Sequence, residues 1–211
     1  DKSRMYAGLS LGWYDLWYFT NEDGTTVFTL KPAQSLTRTS IEWLLNTEPG
    51  GGSTVTVGSV EEALSDPPLV LLEGTLDIGT YEMPPDAAQM GSATLINTTD
   101  CRTQDIVCRN DFLYTAFTEA YDWGSGTVSA IRVLKIDTQL GEATQNQIFG
   151  ADGYFYYFPA ASANSADVMH VVFNRSGSAE YVGVRAVTEV WNDASSSEVK
   201  KGVGPYTGTR W

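Results

Sequence analysis

Basic residues are scarce in this sequence, and the parts of most catalytic machinery are absent. Thirteen Lys and Arg stand against 26 Asp and Glu, a formal charge of −13. A surface that acidic repels phosphate backbones and anionic lipids, so nucleic acid and membrane surfaces are poor candidates as partners. No apolar run approaches the roughly 20 residues of a membrane-spanning helix. There is one histidine, His170. Any Ser-His-Asp arrangement would have to use it, yet it sits mid-strand between Met169 and Val171, where a histidine bonded to a neighbour is the simpler reading. No Gly-x-Ser-x-Gly elbow, His-Glu-x-x-His pair or phosphate-cradling glycine loop is present, which argues against the common hydrolase and nucleotide-binding classes.

Cysteine is nearly absent too. Cys101 and Cys108 are the only two, and without further ligands they do not make a zinc site. Their spacing suits a disulfide closing a short loop, stabilising by about 2.5 kcal/mol on chain entropy. Two free buried thiols are the alternative. A disulfide would place the chain outside the reducing cytosol. Helical periodicity is missing beyond three turns, and Gly 20, Tyr 11 and Trp 6 favour strands and turns.

What is present is a series of short apolar, β-branched and aromatic runs separated by breakers. The clearest pair is 112–118 (FLYTAFT) and 128–136 (VSAIRVLKI), joined through a loop at 119–127 that carries Gly124 and Gly126. These read as an antiparallel hairpin. Further strands are expected at 6–11, 16–20, 26–31, 40–45, 54–57, 69–72, 93–96, 154–158, 168–174 and 181–187, with 189–191 extending the last. The segment Asn21-Glu22-Asp23-Gly24 reads as a hairpin turn. A calcium loop is the other reading of these residues, although the EF-hand spacing and its closing glutamate are missing. No other cofactor is expected. Residues 49–52 (PGGG) read as a flexible loop, Ser59 and Glu62 have capping-box spacing for a short helix, and 83–86 (MPPD) cannot sit inside a sheet.

A loose repeat runs through these strands. Phe19, Phe117 and Phe173 each close an apolar run just before Thr or Asn, at separations of 98 and 56 residues. Blade-sized units of about 40 to 50 residues accommodate that spacing, with one divergent unit between the first two. The fold class is therefore all-β. A partial β-propeller of about four to five four-stranded antiparallel blades is the expected architecture, and a β-sandwich is the alternative. Residues 1–211 form a single propeller domain or the N-terminal part of a larger one.

Four segments carry a resemblance. PPDAAQMGSATLINTTDCR (84–102), RNDFLYTAF (109–117), VVFNRSGSAEY (171–181) and GPYTGTRW (204–211) resemble turns and blade edges of secreted bacterial β-propeller proteins, sialidase-like in repeat style. The likeness covers residues 83–211 and implies a fold and a secreted or cell-surface location more than an activity. Asp111 stands where those proteins carry a turn glycine. They also continue beyond the position of Trp211, which implies a larger propeller completed by further chain or by a partner. Trp211 is then expected to pack against another segment or chain.

Chemistry-bearing residues concentrate in the central third. Glu119 and Asp122 form a carboxylate pair that could serve glycoside hydrolysis or a lyase reaction, and Asp105 and Asp111 bracket Cys108. The arginines Arg102, Arg109, Arg132, Arg175 and Arg185 match a sialidase in number but not in pattern. No residue is assigned as catalytic. Binding is the better-supported reading: Tyr121, Trp123, Tyr154, Tyr156 and Tyr157 lie in or near loops, where aromatic faces stack on sugar rings or hold peptide. Arg102, Asp105, Glu119, Asp122 and Arg175 are placed to orient a ligand. The expected function is a secreted module that binds extracellular glycan or protein through loops.

Overall fold

The computed structural model describes residues 5–9, 19–21, 23–62, 69–188 and 195–208. Its elements are all strands. The first sheet contains β1 (Lys31–Pro32), β3 (Glu42–Thr47), β4 (Gly51–Glu61) and β5 (Leu69–Glu82), in the order β1-β3-β4-β5. The second has β2 (Gln34–Ser35), β8 (Asp105–Arg109), β9 (Phe112–Asp122), β10 (Thr127–Asp137) and β11 (Glu142–Phe149), in the order β11-β10-β9-β8-β2. A third runs β12 (Tyr154–Ala163), β13 (Met169–Gly177), β14 (Glu180–Thr188) and β15 (Ser197–Lys200) in sequence. A short hairpin, β6 (Ala87–Gln89) and β7 (Ser92–Ile96), stands apart. Every pairing is antiparallel except the short parallel contact of β2 with β8. Each sheet is open.

The sheets stack in succession because both faces of the second are apolar. Strand alternation sends Leu113 and Phe117 of β9, with Leu134 and Ile136 of β10, towards Trp43, Leu45, Val55 and Val57 of the first sheet. Tyr114, Ala116, Ile131 and Val133 point the other way, against Tyr156, Met169, Val171 and Phe173 of the third. Each fully buried side chain of this size contributes about 1.5–3 kcal/mol, so the two interfaces dominate the stability of the stack. The hairpin packs Ala87 and Ile96 on Tyr157, on the other face of the third sheet. Ser176 Oγ accepts from Tyr157 Oη (3.1 Å) and donates to the Ala88 carbonyl (2.7 Å).

The expected repeat is visible in part. Phe117 lies on β9 and Phe173 on β13, each the second strand of a four-strand meander. In the first sheet the second strand is β3, whose sequence EWLLNT carries no phenylalanine. Phe19 lies outside the named strands, buried where a Cβ on Gly58 would meet its ring. The turn after it forms: Thr20 bridges Thr26, and Asp23 accepts from the Thr25 amide (2.8 Å) and hydroxyl (2.6 Å). Glu22, most of the 16–20 strand, the 189–191 extension and Trp211 lie outside the described residues.

Several expectations are corrected. The disulfide is not formed: Cys101 and Cys108 are free and buried. Cys101 Sγ donates to the Glu82 carbonyl (3.2 Å), whereas Cys108 is held within β8 opposite Leu113. Burial pushes the Cys101 thiol up to about 12 and that of Cys108 up to about 11. The PGGG segment is not a loose loop, since β4 begins at Gly51 (φ 103°). A Cβ there would stand 2.7 Å from the Tyr81 carbonyl, so only glycine lets β4 approach β5 this closely. Ser59 is inside β4, bonded to Glu73, where a helix cap was expected. Residues 6–9 are not a strand. The central hairpin loop shrinks to residues 123–126, because residues 118–122 of β9 pair with β10.

Asn110 (φ 49°) and Asp111 (φ 63°) join β8 to β9 as a two-residue turn with both residues left-handed. Such a turn favours glycine at its second position. Asp111→Gly should therefore stabilise the protein by on the order of 1 kcal/mol, read as a higher denaturant midpoint at constant m-value. An unchanged or lower midpoint would contradict this. The two thiols should resist alkylation in the native protein at neutral pH and react fully after denaturation without reductant. Protection that persists until reductant is added would mean a disulfide after all.

Candidate functional site

On one face of the central hairpin, β9 contributes Phe117, Glu119 and Tyr121, opposite Arg132, Ala130 and Val128 of β10. The row begins in the core and ends at the edge of the fold, and its middle is ionic. Glu119 and Arg132 are both buried and paired at 2.9 Å. Arg132 also reaches into the first sheet. There β5 carries Ile78, Gly79 and Thr80 against a single residue of β4, since Thr54 pairs with Asp77 and Gly52 with Tyr81. Such a bulge takes carbonyls out of the ladder, and they need other donors. Arg132 supplies them: Nη1 donates to Ile78 O (2.5 Å) and Asn146 Oδ1 (3.1 Å), and Nη2 to Thr80 O (3.0 Å) and Glu119 Oε2 (2.9 Å). Nε donates to Glu119 Oε2 (3.1 Å), so all five guanidinium donors are used. Burial pushes the Glu119 carboxyl up, and the hydrogen bonds and charge of Arg132 oppose it. Glu119 Oε1 is buried with no hydrogen-bond partner.

Beyond this clamp the row opens to solvent. Tyr121 is 36% and Trp123 37% exposed, with ring centroids 4.5 Å apart and planes tilted by 59°. The loop beneath them is fastened by Asp122, whose Oδ1 accepts from the amides of Gly124 (2.7 Å) and Gly126 (3.0 Å). Those bonds hold its carboxyl below the usual aspartate range. The indole lies against Gly150, where a Cβ would stand 3.1 Å from Cζ2. Strand direction brings further loops to the same end: β11 finishes at Phe149, β12 starts at Tyr154, β13 finishes at Gly177 and β14 starts at Glu180.

At that end the third sheet contributes a second cluster. The Arg175 guanidinium stands over the Tyr154 ring (4.6 Å) and near that of Tyr156 (5.8 Å), and pairs with Glu180 at 2.6 Å. Tyr156 itself is buried. Arg102 pairs with Asp100 at 2.8 Å and lies over Phe28. Asp105 opens β8 with an exposed side chain, while its carbonyl accepts from Thr115 (2.8 Å).

Of the residues read from the sequence as ligand-binding, Tyr121, Asp122 and Trp123 come together, as do Tyr154, Tyr156 and Arg175. Glu119 does not face the loop, because its carboxylate is bound to Arg132. Three positions apart on one strand, Glu119 and Asp122 point to opposite faces, so they do not converge on one substrate bond. His170 stands at the start of β13, 3.0 Å from Thr188 Oγ1 and 3.3 Å from Asn164 Nδ2. That matches the bonded strand histidine expected. Gly150 and Glu180 went unnoticed in the sequence; the glycine ending a strand before Ala-Asp-Gly was the available signal. Among the described residues no group of three or more His, Cys, Asp or Glu could hold a metal ion. No family model matches the chain, and no curated protein and no solved structure matches it.

Removing Arg132 leaves a buried carboxylate and takes the guanidinium donor from Thr80 O, while Ile78 O keeps only Asn146. Arg132→Met should destabilise the protein by about 3–5 kcal/mol. Unpaired, Glu119 has a folded pKa above its unfolded one, so the native state of the variant binds more protons and its deficit grows as pH rises. Denaturant melts of both proteins across the acid range check this: the gap should narrow as pH falls, and a constant gap would refute the charge argument.

Proposed function

We propose that the chain is a binding module of the β-propeller type, its three stacked meanders serving as successive blades, and that it recognises extracellular glycan or protein through the Trp123 end. Support for the blades is the face-to-face burial of both sides of the second sheet, with Phe117 and Phe173 on equivalent strands. The observation that carries the binding reading is the Tyr121–Trp123 pair, half-exposed on a fastened loop. Exposed aromatics held in place lose little freedom when a ligand arrives, which suits recognition. An extracellular setting now rests on the resemblance to secreted propellers alone, because the cysteines are free. Further chain or a partner completing the propeller belongs to the same proposal.

A glycoside hydrolase or lyase acting through Glu119 and Asp122 has lost the geometry it required. The test of binding is a glycan array, together with pull-down from extracellular matrix fractions, using the full chain at high concentration. Retention of a defined glycan or protein, weakened by substitutions at residues 121–126, is the expected result. Blank arrays and empty pull-downs would overturn it.

A further inference from the structure

We propose that Trp123 is a ring-stacking subsite for an uncharged pyranose, and that uronates and sulfated sugars are turned away; this rests on the glycan reading above. The indole is set by its surroundings. Gly150 abuts its Nε1–Cζ2 edge: a Cβ there would come within 3.1 Å of Cζ2, 3.4 Å of Nε1 and 3.3 Å of the Ala130 methyl. With no side chain at 150 that edge can seat close against the chain, and the ring remains 37% exposed. Tyr121 braces it from the side at 4.5 Å between centroids. At that distance the two rings touch, so no slot between them could take an inserted cation. The exposed indole is the platform and Tyr121, tilted 59° to it, is a side wall, an arrangement suited to the C–H face of one sugar ring.

Charge decides which sugar. Asp122 adjoins the indole in sequence, and Asp152 is exposed two residues beyond Gly150. The arginines towards this end are already engaged, Arg132 with Glu119 and Arg175 with Glu180. With −13 overall, the field repels carboxylated or sulfated rings and leaves neutral ones unopposed.

Calorimetric titration of the full chain with a neutral hexose oligosaccharide, its N-acetylated counterpart and a uronate oligomer of equal length tests this. One or both neutral oligomers should bind and quench indole fluorescence, while the uronate should not bind. Trp123→Ala should weaken binding about tenfold or more, and Trp123→Phe should restore much of it. Gly150→Ala, which displaces the indole without removing it, should weaken binding by a smaller factor. Matching denaturant midpoints establish that the variants are folded. Undiminished binding by Trp123→Ala overturns the subsite but leaves the glycan reading standing, as uronate binding on a par with neutral sugar overturns the selection by charge. Failure of the unaltered chain to bind any oligosaccharide, here and on the array, brings down the glycan reading itself.

Discussion

Two sheets are tied together here by one side chain answering a fault in a strand. The bulge at Ile78–Thr80 takes carbonyls of β5 out of its own ladder, and Arg132 reaches from the neighbouring sheet to meet them. A guanidinium buried in an apolar interface would be intolerable alone, so Glu119 must be buried with it. Asn146 completes the arrangement by donating to Ile78 O (2.7 Å) while accepting from Arg132. Bulge, cation and carboxylate make sense only together. Above the clamp the face of the hairpin is free to present aromatic rings to solvent, because register and sheet spacing have been fixed below it.

The rest of the fold follows from a second sheet that has no solvent face. Its central strands must supply apolar residues in both directions, which explains why β9 and β10 are buried almost throughout. The strands at the margins carry no such demand. β11 alternates exposed and half-buried polar residues, and β15 is exposed along its length.

That difference governs how much could be read in advance. Strands with two buried faces announce themselves, and the runs around Leu113, Ile131, Tyr156 and Val171 were all legible as strands. β11, with its Gln and Asn, and β15 were not, because pairing to an inner neighbour makes them strands where composition does not. Glu119 misled for a related reason: a charged residue near Gly124 reads as loop, and only the distant Arg132 makes it a core residue. The cysteine spacing pointed to a bridge, but local separation says nothing of direction, and Cys101 turns towards β5. Of the candidate site, the aromatic loop was visible in the sequence. The glycine at the indole edge, just past β11, and the Glu180 partner of Arg175 came from segments that only the fold brings near.

The small hairpin of residues 87–96 has a bearing on how the chain is made. It is synthesised before β8 to β11, yet its apolar residues Ala87 and Ile96 find cover on Tyr157, with Phe155, Phe158 and Val182 packed beside it. The bond from Ala88 goes to Ser176, 88 positions later, and Gln89 bonds to Tyr206, 117 positions later. At ribosomal rates of roughly 5–20 residues per second, the hairpin waits on the order of ten seconds for its floor to emerge. During that interval it is a loose flap, while the first two sheets can already stack. The third sheet therefore covers an earlier piece of chain, so residues 87–96 become native in the same late event as the third sheet.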